Sequence, residues 1–196
     1  MIKIYTTLLI VLFTISCQVA PVQQEQPSLT NSIAINSENE FSGKVVGIAD
    51  GDTATVLDDT NTQHKIRFLG IDAPEKSQAF GQKSKQNLSD LIFGKTVRVQ
   101  VLKRDKYNRE IAKILLDGKD INLQQVKDGF AWHYKEYQRE QTTDDRKLYS
   151  DSEEEARKAK RGLWFDENPQ TPSDFRKNVK LKQSENYKIK SSVLQF

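Results

Sequence analysis

The sequence predicts an α+β domain, mostly β, in which five strands close a small barrel and about three helices pack around it. Three observations carry this prediction. Five short β-type runs lie between positions 44 and 116, each bounded by Gly, Asp or Asn turn chemistry. A stretch of helical period separates the third run from the fourth. The chain has 196 residues, 36% hydrophobic and 29% charged, enough for one modest core.

The elements follow in order. Lys44-Val45-Val46-Gly47-Ile48 reads as a strand that leads into Asp50-Gly51-Asp52. Gly51 is expected to permit a turn backbone that other residues resist. Thr53 to Leu57 reads as a second strand, and Asp58-Asp59-Thr60-Asn61 as a turn. His64 to Leu69 is the third, which makes an antiparallel meander. Ile66 and Phe68 share one face of it, Arg67 and Leu69 the other, and Pro74 ends the ladder because it lacks an N–H.

Phe80, Ser84, Leu88, Leu91 and Ile92 then recur at helical spacing, and Gly94 is a C-cap candidate. Val97, Val99 and Val101 alternate with Arg98, Gln100 and Leu102 as a fourth strand, and Glu110 to Leu116 reads as the fifth. Asn122 is expected to cap a short helix that ends at Gly129. A longer helix follows with Leu148, Ser152, Ala156 and Ala159 on its inner face, and Glu153-Glu154-Glu155 is expected to be solvated. Five strands with a helix between the third and fourth match the order of an OB-fold barrel, which often binds oligonucleotides on one face.

The ends of the chain read differently. Lys3 followed by the apolar run Leu8 to Ile15 suits a signal-peptide core and is short for a membrane span. Ser16-Cys17 after it is similar to the bacterial lipoprotein signal, in which the cysteine is lipidated, although Thr14 stands where Leu, Val or Ile is usual. An ordinary cleaved signal is the alternative, and either one exports the protein to the cell envelope or beyond it. Residues 18–40 are rich in Gln, Ser, Asn and Pro and read as a flexible linker to a domain over 41–166. Residues 167–196 read as a basic, flexible tail with room for a short helix, its Arg176, Lys177, Lys180 and Lys182 basic enough to touch an anionic surface but expected to be solvated. Cys17 is the one cysteine, so no intrachain disulfide can form. The net charge of +3 permits a nucleic-acid partner without demanding one.

The chemistry gathers on Ile66 to Glu75. Asp72, Glu75 and Arg67 near one strand mouth suit a metal-assisted attack on a phosphate, while the plainer reading is a solvated turn. Asp50 to Thr55 fails as an EF-hand loop, because Ala54 stands where a ligand is needed and Thr55 where the sharp-turn Gly belongs. A cation would therefore draw ligands from separate segments. Asp52 and Asp72 are the natural pair, and hard oxygen ligands favour Ca²⁺ over Zn²⁺. Arg67 and Arg109 are candidate phosphate clamps, since a guanidinium fork pairs two phosphate oxygens. Lys106 and Tyr107 could hold a phosphate beside Arg109. His64 and His133 are isolated and read as non-catalytic.

Asp50-Gly51-Asp52-Thr53, Arg67 to Glu75 and Asp105-Lys106-Tyr107-Asn108-Arg109 together resemble the staphylococcal nuclease (thermonuclease) family. Gly129-Phe130-Ala131 and Lys160-Arg161-Gly162-Leu163-Trp164 extend the resemblance, which covers about Phe41 to Trp164. It implies a monomeric OB-fold enzyme that cleaves DNA and RNA with calcium and leaves 3′-phosphates. It further implies that Asp52, Asp72 and the carbonyl of Ala73 bind Ca²⁺, and that Glu75 activates or positions the attacking water. Arg67 and Arg109 then grip the scissile phosphate, and Lys106 and Tyr107 lie near the neighbouring one. The base-stacking tyrosine is Tyr134 or Tyr137. Ala73 stands where the best-known member has Thr, which keeps the carbonyl and loses the hydroxyl. The rival reading is a non-catalytic nucleic-acid-binding OB-fold lipoprotein.

Overall fold

The structure is a computed structural model that describes residues 39–193. The expectations for the leader, Cys17 included, and for nearly all of the linker fall outside these residues.

The strands are β1 (Glu40–Asp50), β2 (Thr53–Asp58), β3 (Gln63–Phe68), β4 (Ile71–Asp72), β5 (Thr96–Arg104), β6 (Glu110–Leu116), β7 (Lys119–Asp120) and β8 (Trp132–His133). The α-helices are α1 (Gly81–Ile92), α2 (Ile121–Lys127), α3 (Thr143–Lys158) and α4 (Pro172–Val193). Strand β1 pairs with β2 and β5, β2 with β3, and β5 with β6, all antiparallel. Parallel pairing of β3 with β6, Ile66 opposite Glu110 and Phe68 opposite Ala112, closes the five-stranded OB barrel.

Period-two patterning explains the closure. Val45, Ala54, Val56, Ile66, Phe68, Val97, Val99, Ala112 and Ile114 all point inward and are buried. Leu88 and Ile92 of α1, Leu123 and Val126 of α2, and Tyr149 of α3 complete the same core. Gly129 and Gly162, from the two late motifs, lie back to back, and the Leu163 N–H donates to Gly129 O at 2.8 Å. A Cβ on Gly129 would sit 2.3 Å from Arg161 O, so nothing larger fits there.

Four expectations are revised. The cap of α2 is Asp120, whose carboxylate accepts from the Leu123 N–H. Asn122 instead lies inside, where it accepts from the Ile114 N–H at 3.1 Å and donates to Leu69 O and Ala112 O at 3.0 Å each. An amide matches that mix of donor and acceptor, and a helix end does not need it when Asp120 is in place.

The inner face of α3 is Tyr149, Ser152, Glu153 and Ala156, while Leu148 is 46% exposed. The stripe slips by one residue because the Tyr149 ring fills the core and its hydroxyl donates to Asp120 at 2.8 Å. Glu153 is buried, accepting from the His133 N–H and pairing with Lys135 and Arg157.

Gly51 is not in the left-handed region. Close approach is what demands it, since a Cβ there would meet Ser84 Oγ at 1.8 Å and Ala73 Cβ at 2.8 Å.

The expected tail over 167–196 contains the 22-residue helix α4, and Arg176 on it is ion-paired rather than solvated. Among the described residues no helix is long and apolar enough to cross a membrane.

Candidate metal and phosphate site

Chain topology brings the site together. The β1–β2 turn delivers Asp52, and the residues after β3 deliver Asp72, Ala73 and Glu75. The Phe68 N–H donates to Asp52 O at 2.8 Å, and the Ala73 N–H to Asp52 Oδ2 at 2.6 Å. Pairing of β4 with β8, Asp72 opposite Trp132, holds the second segment in place. The two acidic segments are therefore stitched to each other before any cation is considered.

Gln125 and Ser84 support the first loop from behind. The buried Gln125 amide donates to Gly51 O at 2.6 Å and to Ser84 O at 3.2 Å. Asn87 donates to Gln125 Oε1 at 2.5 Å and so fixes which way that amide faces. Gln125 carried no sequence signal beyond a polar residue at a helical core position, and Asn122 carried only the signal of a helix cap.

Arg67 joins the carboxylates. Its Nη2 lies 3.1 Å from Asp52 Oδ2 and 3.0 Å from Asp72 Oδ1, while Nη1 donates to Phe68 O at 3.0 Å and Ile71 O at 2.8 Å. One nitrogen touching both acids places Asp52 and Asp72 side by side.

Both carboxylates are buried, at 5% and 3% exposure. Burial pushes the Asp52 carboxyl up to about 8, with Arg67 opposing and Asp50 and Asp72 adding to the rise. Burial likewise raises Asp72, which the Arg176 and Arg67 guanidiniums resist. Two buried acids this close either retain a proton or need cationic company.

The donor set fits a hard divalent cation: two carboxylates on adjoining loops, with backbone oxygen and water to complete the shell. Among the described residues, no three His, Cys, Asp or Glu side chains are grouped to hold a metal alone.

Glu75 sits on the rim, about one-third exposed at its side chain (36%). Its N–H donates to Gln78 Oε1 at 3.1 Å, and its Oε1 accepts from Arg176 Nη1 at 2.8 Å. Arg176 also reaches Asp72, with Nη2 3.0 Å from Oδ2 and Nη1 3.3 Å from Oδ1. This residue is the one that sequence reasoning missed at the site itself. Its only signal was membership of a lysine-rich stretch, which ordinarily stays in solvent.

Arg109, Lys106 and Tyr107 form a second group on the β5–β6 turn. Asn108 takes φ 60 there, a left-handed turn that Asn accepts. Arg109 Nε donates to Asp105 Oδ2 at 2.8 Å, and its guanidinium lies 5.6 Å from the Tyr107 ring centroid, with Lys106 5.1 Å from the same ring. Arg67 pairs with Ile111, two residues after Arg109. Arg109 itself is engaged by Asp105 and not by the acidic cluster.

Tyr134 and Tyr137 pack with ring centroids 5.0 Å apart. Tyr134 is the one nearer the acids: burial and then the Asp72 charge raise its hydroxyl to about 12, and its N–H donates to Gly70 O at 2.8 Å. Tyr137 is 49% exposed and presents a free ring edge to solvent.

The two histidines have partners of their own, His64 on β3 and His133 on β8 opposite Ile71. His64 is clamped between Asp58 Oδ2 at 3.1 Å and both oxygens of Glu110 at 3.1 Å. His133 is buried against Gln141 Oε1 at 2.8 Å. Both were expected to be non-catalytic, and both have structural partners.

Comparison with known proteins identifies the family. Residues 65–166 match the family described as staphylococcal nuclease homologue. The chain is 43% identical over 154 residues to an uncharacterized endonuclease of Haemophilus influenzae, a match spanning 78% of this chain and 83% of that protein. It is 39% identical over 134 residues to an uncharacterized endonuclease of Escherichia coli O157:H7, spanning 68% of this chain and 83% of that one. A micrococcal nuclease of Shigella flexneri is 35% identical over 157 residues, spanning 76% of this chain and 87% of its own. A closed OB barrel, acids from two loops meeting on one guanidinium and this range of relatives lead to one conclusion: the chain belongs to the staphylococcal nuclease homologue family.

Proposed function

We propose that this protein is a calcium-dependent nuclease that hydrolyses phosphodiester bonds of DNA and RNA and leaves 3′-phosphates. The observation that carries the reading is the meeting of Asp52, Asp72, Glu75 and Arg67 at one barrel end. In this reading Asp52, Asp72 and the Ala73 carbonyl hold Ca²⁺. When bound, Ca²⁺ supplies Lewis-acid stabilisation of the charge that gathers on the phosphoryl oxygens.

The chain's own groups do the rest. Glu75, on the exposed rim, accepts the proton of the attacking water or orients it, work worth about 10²–10⁴-fold. Arg67 aligns the two acids through Nη2 and releases its fork towards phosphate once they are otherwise neutralised. Arg109 leaves Asp105 for the scissile phosphate, because a doubly acceptor-rich phosphate competes well with one carboxylate. Lys106 and Tyr107 hold the neighbouring phosphate, and Tyr137 offers its ring to a base. Contacts of this kind go to phosphate and not to base edges, so sequence specificity is low.

The protein acts as a monomer and outside the cytoplasm, exported by its leader and held at the envelope through lipid on Cys17. Incubation of the purified protein with single- and double-stranded DNA and RNA, in Ca²⁺ and then in chelator, tests the assignment. Cleavage that needs Ca²⁺ supports it, and binding without cleavage in Ca²⁺ would replace it with the non-catalytic reading. Radiolabelled fatty acid incorporated by wild type but not by Cys17→Ser tests the anchor.

A further inference from the structure

We propose that α4 is a built-in competitor for the cation site, with Arg176 holding the acidic cluster until a divalent cation displaces it. The inference rests on the reading of Asp52, Asp72 and Glu75 as metal ligands and base.

The contacts themselves define the role. Arg176 lays both Nη atoms on Asp72, at 3.0 and 3.3 Å, and Nη1 also reaches Glu75 Oε1 at 2.8 Å. A fork on a carboxylate is among the stronger polar contacts a protein makes. It occupies oxygen lone pairs of Asp72 that a cation would need. It also engages Glu75, which cannot take a proton from water while bound to a guanidinium. The docked helix and a working site therefore exclude each other.

The helix is placed for this contact at its N-terminal end. Gln78 bridges the two segments, accepting from the Glu75 N–H at 3.1 Å and donating to Gln170 O at 2.5 Å. Thr171 then starts the helix, its Oγ1 accepting from the Asp174 N–H at 3.1 Å. Past Arg176 the body of α4 buries little. Val179, Leu181 and Tyr187 are 37%, 60% and 76% exposed. The docked end is held by the Arg176 ion pairs, the Gln78–Gln170 hydrogen bond, buried Pro172 and half-buried Phe175, a small contact that suits an element that must open.

Competition has a fixed thermodynamic form. If nine molecules in ten hold α4 docked, the apparent affinity for the cation falls about tenfold. Linkage is reciprocal, so the cation loosens α4 as much as α4 weakens the cation.

The test uses the full chain as wild type, Arg176→Ala and Lys177→Ala. Lys177, exposed beside Asp174, removes the same charge one residue away from the contact. Ca²⁺ affinity is measured by titration calorimetry without substrate, and hydrogen–deuterium exchange of residues 172–180 with and without Ca²⁺. The expected result is Ca²⁺ binding about tenfold or more tighter in Arg176→Ala, wild-type affinity in Lys177→Ala, and faster α4 exchange in wild type on adding Ca²⁺. Arg176→Lys, which keeps the charge and loses the fork, should fall between wild type and Arg176→Ala. Equal or weaker affinity in Arg176→Ala, or unchanged α4 exchange, overturns the inference and leaves the metal reading standing. Absence of Ca²⁺ binding in every variant overturns both.

Discussion

Replacing Asn122 by Ala should destabilise the whole domain and loosen the acidic cluster, although Asn122 touches neither metal ligand nor substrate. Its side chain is fully buried and bridges β6 to the segment after β3. Without it, the Ile114 N–H and Leu69 O lose their side-chain partner, while Ala112 O keeps the Leu69 N–H at 2.8 Å. Two buried groups left unpaired, at about 1–3 kcal/mol each, come to roughly 2–6 kcal/mol. That is a large share of the roughly 5–15 kcal/mol that keeps a domain folded. Urea unfolding followed by tryptophan fluorescence should show a midpoint lower by about 1 M or more. Asn122→Asp should be no better, since it keeps the acceptor for Ile114 but turns a carboxylate on two carbonyls. A midpoint within error of wild type for Asn122→Ala would refute the bridging role.

Glu75→Gln and Arg109→Ala should each lower cleavage by about 10²-fold or more with little change in melting temperature, given the size of base and electrostatic contributions. Wild-type turnover in either one would remove that residue from the mechanism. Asp52→Asn should abolish Ca²⁺ binding and flatten the pH dependence of metal-free stability. Burial lifts the Asp52 carboxyl from 3.8 to about 8, so the folded state holds a proton the unfolded chain releases, and stability falls as pH rises through that window. Thermal melts in chelator at pH 4 to 8 would show the flatter profile, and an unchanged slope would contradict it. His64 is drawn down by burial but raised on balance by its bonds to Asp58 and Glu110. Its stabilisation is complete below the ordinary value of 6.5 and is lost as pH rises through the raised one, so His64→Gln should lose that dependence in the same melts.

Much of the fold was legible because its signals are local. Period two along Ile66–Phe68 and Val97–Val101, and Gly or Asn at the turns, act within a few residues, and the barrel order follows from them. The spacing of Asp52, Asp72 and Glu75 about two neighbouring strands was legible for the same reason. The slip from Leu148 to Tyr149 on α3 was not. A stripe of small and apolar residues does not say which edge faces the core until Asp120 offers a partner to the Tyr149 hydroxyl.

The sequence by itself determined the barrel, the family and the residue types at the acidic mouth, because strand period and turn chemistry are properties of adjacent positions. Only tertiary structure decided what Arg176, Asn122, Gln125 and Gly51 are for. Arg176 lies more than 100 positions along the chain from Asp72, and |i−j| for their contact is 104. An ion pair between groups so far apart leaves no trace in local pattern, and only the placement of α4 makes an ordinary basic residue the partner of the acidic cluster.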